Sequence, residues 1–186
     1  FSGNGLPVHF PIGTQHIGPT HGSIGNAGLR AVMTNFFQQR NRLHSKFPAH
    51  SLCQHDMDTS PLGDPKGLIS GINKIYFDSD KRACEIIKKN ADACSIRSHV
   101  GTVASGDRFV SCKEESLKIA AEFEAIACEM EGASIAQVAF VNNTPFAVIR
   151  AISDNADEGA SMFYGDFLPL AVKNSSMLTL DLIKEY

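Results

Sequence analysis

The clearest pattern lies in the second half of the chain, where short apolar runs alternate with longer amphipathic ones. HVGTVASGD (99–107) reads as a short strand running into a turn, and KEESLKIAAEF (113–123) as a helix. AIACEM (125–130) is an apolar run of strand length. EGASIAQVAFVNN (131–143) reads as a helix, with Gly132 near its start and Asn142 and Asn143 at its end. TPFAVIRAISD (144–154) is a β-branched strand begun by Pro145, and FLPLAVKNSSMLTLDLIKEY (167–186) a C-terminal helix. Strands alternating with helices of roughly 10 to 15 residues predict βαβ units and a mainly parallel sheet.

The first half carries weaker signals. Leu29, Val32, Met33, Phe36 and Phe37 fall at helical spacing and predict a helix over 29–43. Residues 78–93 predict an amphipathic helix with Asp78, Ser79 or Asp80 as its cap and Ala83, Ile86 and Ile87 on its apolar face. Residues 51–70 are turn-rich. Residues 1–29, rich in Gly, Pro and His, have no periodicity and predict loop or poor order.

At 186 residues the chain suits one globular domain. A net charge of -3 argues against a nucleic-acid partner, and no apolar run is long enough for a membrane span. Phe1-Ser2-Gly3 does not open a signal peptide, and a first residue other than Met predicts a fragment or a processed chain. Five scattered cysteines with no C-x-x-C predict reduced thiols and a cytoplasmic location. Residues 1–55 contain no Asp or Glu, so all 20 acids lie beyond them. The chain thus divides into an atypical acid-free segment, 1–53, and an α/β domain, 54–186.

Ligands of parallel sheets bind off the carboxyl ends of strands. Three predicted strands end in polar or aromatic groups: Gly106-Asp107-Arg108-Phe109, Glu129 to Gly132, and Ser153-Asp154. In a parallel sheet all three open on one edge. Asp154 reads equally as a general acid, which requires a raised pKa, or as a helix N-cap. Glu131 reads equally as a bidentate acceptor for a vicinal diol or as a carboxylate serving a helix dipole. Met130 offers an adaptable apolar wall or core filler; Phe109 offers a stacking face or core. Cys128 reads as a buried small hydrophobe. Gly22, Gly25 and Gly28 could cradle an anion, but no strand precedes them. The HDMD cluster, with His55, Asp56 and Asp58, suits a turn or interface better than a metal site.

GTVASGDRFV and ACEMEGASIAQVAFVNNTPFAVIRAISDNAD closely resemble the bacterial 5′-methylthioadenosine/S-adenosylhomocysteine nucleosidases, and HDMDTSPLGDPKG resembles the segment before them. The resemblance covers residues 54–186. It implies a three-layer α/β/α sandwich around a mixed sheet, of the nucleoside phosphorylase type, and a homodimer. It implies hydrolysis of the N-glycosidic bond of adenine nucleosides, within methionine salvage, with no metal or cofactor. By the same resemblance Asp154 is the general acid at adenine N7 and Ser153 orients it. Glu131 grips the ribose hydroxyls, with Met130 against the sugar. Phe109 stacks on adenine, the backbone of Val110 reads its edge, and Tyr164 lies near the 5′-alkylthio pocket.

Residues 1–53 depart from that family. They lack its I-G-I-I-G-A-M-x-x-E strand, whose Glu helps activate water, and its N-T-G-x-A-G-G loop. Truncation, a shifted reading frame or divergence would account for this. The departure predicts missing or aberrant N-terminal strands and a lowered hydrolytic rate. A phosphate-dependent nucleoside phosphorylase and a non-catalytic nucleoside-binding remnant are the competing expectations.

Overall fold

The computed structural model describes residues 31–36, 46–152 and 164–186. Along the chain these form β1 (Ala31–Phe36), β2 (Lys46–Gln54), a 3-10 turn (Ser60–Leu62), β3 (Tyr76–Asp78), α1 (Lys81–Ala93) and β4 (Gly101–Ser105). Then follow α2 (Lys113–Phe123), β5 (Ala125–Glu129), α3 (Gly132–Val141), β6 (Phe146–Ala151) and α4 (Tyr164–Glu185).

The strands form one mixed sheet in the order β1-β6-β2-β4-β5, with β3 pairing β2 off this path. β4 runs parallel to both β2 and β5, and β1 runs parallel to β6. β6 is antiparallel to the first part of β2, matching Lys46 to Ala151. The sheet is thus mixed, as the resemblance implies, and among the described residues three of its five pairings are parallel, in line with the βαβ rhythm. β4 and β5 share an open carboxyl edge, and the Arg150–Glu129 pair brings the end of β6 to the end of β5. The register of β2 shifts between Ala49 and Ser51, where its pairing passes from β6 to β4.

Side-chain alternation along the strands builds the layers. Leu52, Val103, Ala127 and Val148 pack with Ala133, Ala136 and Ala139 of α3 on one face. Their chain neighbours point the other way. Ala147 and Ile149 meet α1 and α4 through Ala83, Ile87, Leu178 and Leu182, and Cys53, Ala104 and Cys128 meet α2 through Ile119 and Phe123. The result is the expected helix–sheet–helix sandwich. The alanines of α3 bring its backbone close to the sheet, where β6 is buried at all six positions.

The second-half elements match the sequence pattern within a few residues. Asp80 is the cap of α1, accepting from the Ala83 amide at 2.8 Å. The helix expected over 29–43 is overturned: residues 31–36 are strand β1, paired along their length with β6. Val32, Met33 and Phe36 satisfy a helical spacing, but partnership with a wholly buried strand decides the conformation. β2 occupies the first residues of the span read as turn-rich, and it crosses the boundary between 53 and 54. The reading of residues 1–29 lies outside the described residues. Among the described residues, no helix is long and apolar enough to cross a membrane.

Candidate active site

Period-2 alternation places Ser105, Glu129 and Arg150 on the sheet face that carries α3, because each lies two residues beyond Val103, Ala127 or Val148. All three are buried, Arg150 completely. They meet beneath the first turn of α3. The Glu129 carboxylate pairs with the Arg150 guanidinium and accepts the Ser105 hydroxyl. It also accepts the Gly132 amide at 2.9 Å to each oxygen and the Glu131 amide at 3.3 Å. Ser105 Oγ in turn accepts the Ala133 amide at 2.7 Å.

Glu129 therefore serves the orphan amides of the helix start, a role the sequence had offered to Glu131. The Glu131 side chain makes no cap bond, although the residue occupies the N-cap position of α3. Its carboxylate is 41% exposed and lies 3.3 Å from Arg150 Nη2. One buried cation thus anchors two carboxylates, of which one is consumed by structure and one faces outward. Burial pushes the Arg150 guanidinium down to about 9. That still leaves it charged at neutral pH, and the two carboxylates oppose the shift.

The end of β4 is tied to the end of β5 by Gly106 N–H donating to Glu129 O at 3.0 Å. Four residues past β4, Phe109 presents a ring that is 55% exposed, and Val110 beside it is buried among Cys53, Ala104, Ile119 and Cys128. The core alternative for Phe109 is thereby set aside, whereas Val110 is a core residue through its side chain. Cys128 is buried as expected, and burial pushes its thiol up to about 11. Met130 is half-buried between the two glutamates. Ser153 and Asp154 lie outside the described residues. Tyr164 opens α4, and its side chain lies outside them too.

The HDMD cluster is a turn. Met57 N–H reaches Gln54 O at 3.4 Å, Asp58 accepts the Ser60 amide at 2.9 Å, and Asp56 accepts the Asp107 amide at 2.6 Å. Among the described residues no group of three or more His, Cys, Asp or Glu is placed to hold a metal ion. The sequence reading missed Arg150 and Ser105. A charged residue inside FAVIRA was the available signal, since a buried guanidinium requires an anionic partner. Ser105 gave none.

Residues 49–184 match the family model described as the phosphorylase superfamily. The chain belongs to that superfamily. A 5′-methylthioadenosine/S-adenosylhomocysteine nucleosidase of Haemophilus influenzae is 39% identical over 130 residues, covering 69% of this chain and 56% of the relative. An aminodeoxyfutalosine nucleosidase of Helicobacter pylori is 36% identical over 144 residues, covering 77% and 62%. Among solved structures, the Campylobacter jejuni 5′-methylthioadenosine/S-adenosyl homocysteine nucleosidase superposes with a TM-score of 0.76 at 30% identity, covering 83% of this chain and 69% of that one. A Helicobacter pylori D198N mutant with 5′-methylthioadenosine in its active site gives 0.70 at 35% identity, covering 78% and 62%. The chain thus spans a little over half the length of the curated relatives it matches.

Proposed function

We propose that this chain carries the nucleoside-binding half of an N-glycosyl hydrolase acting on 5′-methylthioadenosine and S-adenosylhomocysteine. The observation that carries this reading is the outward carboxylate of Glu131, held by buried Arg150 at the edge where Phe109 is displayed. An ionised carboxylate is acceptor-only and suits the two hydroxyls of a ribose. Cleavage leaves positive charge on the sugar, which an anchored anion stabilises without reorganising. An exposed aromatic ring suits the planar purine.

In this reading Glu131 grips the ribose, Met130 packs on the sugar and Phe109 stacks on adenine while the Val110 backbone reads its edge. Asp154, oriented by Ser153, protonates N7 as electrons flow into the leaving base, and Tyr164 borders the 5′ substituent. The names of the relatives support the reaction, including the one that acts on aminodeoxyfutalosine by the same kind of chemistry. Five free thiols accord with a reducing cytoplasm, and the reading extends to a homodimer working in methionine salvage. No cofactor enters this chemistry. Residues 1–53 are read as the atypical segment and 54–186 as the nucleosidase-like domain, although β2 and the family match both begin before residue 54.

The test measures adenine release from 5′-methylthioadenosine with and without phosphate, alongside adenine binding. Phosphate-independent release that Asp154→Asn lowers by about 10²- to 10⁴-fold is the expected result. Release that depends on phosphate would favour a phosphorylase. Binding without release, unchanged by Asp154→Asn, would favour a non-catalytic remnant.

A further inference from the structure

His55 is the first residue after β2, and it is 9% exposed. Its N–H donates to Ser105 O at 2.9 Å, just where β4 ends. The imidazole lies so close to Gly106 that a methyl group on that glycine would overlap it. Nε2 is buried and meets no hydrogen-bond partner among the described residues. The adjoining Asp56 accepts the Asp107 amide at 2.6 Å. Two consecutive residues of one turn therefore grip two consecutive residues at the root of the Phe109 loop.

We propose that His55 is a positioning residue for that loop: its neutral ring, seated under Gly106, holds segment 106–110 against β4, and protonation unseats it, weakening the hold on adenine. The adenine part of this rests on the purine reading of Phe109; the latch itself does not. A neutral imidazole can leave one nitrogen unbonded at modest cost, whereas an imidazolium must place a second N–H donor where no acceptor lies among the described residues. The charged groups around the ring are Asp56 on its own turn, Arg108 on the loop, and Glu115 and Glu122 on α2. The three acids favour the cation and Arg108 disfavours it, but burial outweighs them and holds the pKa below the ordinary 6.5. The seated ring thus excludes a proton that a ring in water accepts near that value. The latch is fully favoured above about pH 6.5 and is lost progressively as pH falls below it. At about pH 5 the largest possible loss is about 30-fold, reached when the seated ring takes up no proton at all.

The test compares wild type with His55→Gln, a polar side chain that does not titrate. Hydrogen exchange of amides 105–110 in the ligand-free protein is followed at about pH 7.5 and about pH 5, corrected for intrinsic rates, with calorimetric adenine binding alongside. Wild type is expected to lose loop protection at the lower pH, by up to about 30-fold, and adenine affinity with it, while His55→Gln shows neither dependence. Unchanged wild-type protection, or the same pH dependence in His55→Gln, overturns the proposal. Protection that follows His55 without adenine binding at any pH supports the latch and overturns the purine reading. Should His55→Gln fail to fold, Gly106→Ala replaces it. Loss of loop protection at both pH values, with α1 and α4 still protected, supports the packing claim; wild-type protection overturns it.

Discussion

Arg150 pairs with Glu129 where neither side chain has more than a trace of solvent, and the same guanidinium reaches Glu131 3.3 Å away in a half-open setting. The two glutamates of CEMEG are therefore unequal, and substitution should separate them. Glu129→Gln leaves a buried cation short of its counter-charge, a change that typically costs about 3–5 kcal/mol. Glu131→Gln removes a partly solvated partner and should cost under about 1 kcal/mol. Urea unfolding of the two variants checks the difference. Adenine release should fall in Glu131→Gln even though its fold is intact.

A double replacement tests whether the Arg150–Glu129 pair itself stabilises the fold. Removing both charges, as in Glu129→Met with Arg150→Met, relieves the desolvation that each single variant suffers alone. The double variant should be more stable than either single one, with a coupling of about 0.5–3 kcal/mol. It should still lose Glu131 function, because the Arg150 guanidinium 3.3 Å from that carboxylate is gone. Stability recovering without activity is the expected pair of results, read by unfolding and by adenine release.

Much of this arrangement was legible in the sequence, for a physical reason. Between residues 99 and 152 the helices bury one face and the strands are short apolar runs, so apolar spacing and capping residues report the structure directly. β1 was misread because Val32, Met33 and Phe36 allow a helical spacing, and pairing with β6 cannot be seen locally. The antiparallel run of β6 against β2 was hidden for the same reason: sheet order is a long-range property. At the site, Glu131 and Phe109 followed from the strand-end rule. The exchange of capping duty from Glu131 to Glu129 did not, because it depends on where Ser105 and Arg150 arrive from other strands.

The cysteines give a prediction that needs no substitution. Burial pushes Cys53 up to about 12 and Cys84 and Cys128 up to about 11, from an ordinary 9.0. Cys94 and Cys112 are exposed. Iodoacetamide near pH 8 should modify the exposed pair first and reach Cys53 and Cys128 only after unfolding, as mass spectrometry of native and denatured samples will show. Stability should also fall as pH rises past about 9. There the unfolded chain releases thiol protons that the folded chain retains, and the loss continues until the folded values are passed.

Gly132 sets the first turn of α3 directly against Leu52 of the sheet. A methyl group there would overlap the Leu52 side chain and lie 3.1 and 3.2 Å from the two Glu129 oxygens. Gly132→Ala should therefore destabilise by about 1–3 kcal/mol, against the usual gain of alanine over glycine within a helix. The two causes can be distinguished. If crowding against Leu52 dominates, trimming that side chain in Leu52→Val should partly offset the alanine, giving a favourable coupling of about 0.5–3 kcal/mol in a double-mutant cycle. If the cost comes from displacing Glu129, the coupling vanishes and Gly132→Ala instead lowers stability and adenine release together, because Arg150 and Glu131 move with their shared partner.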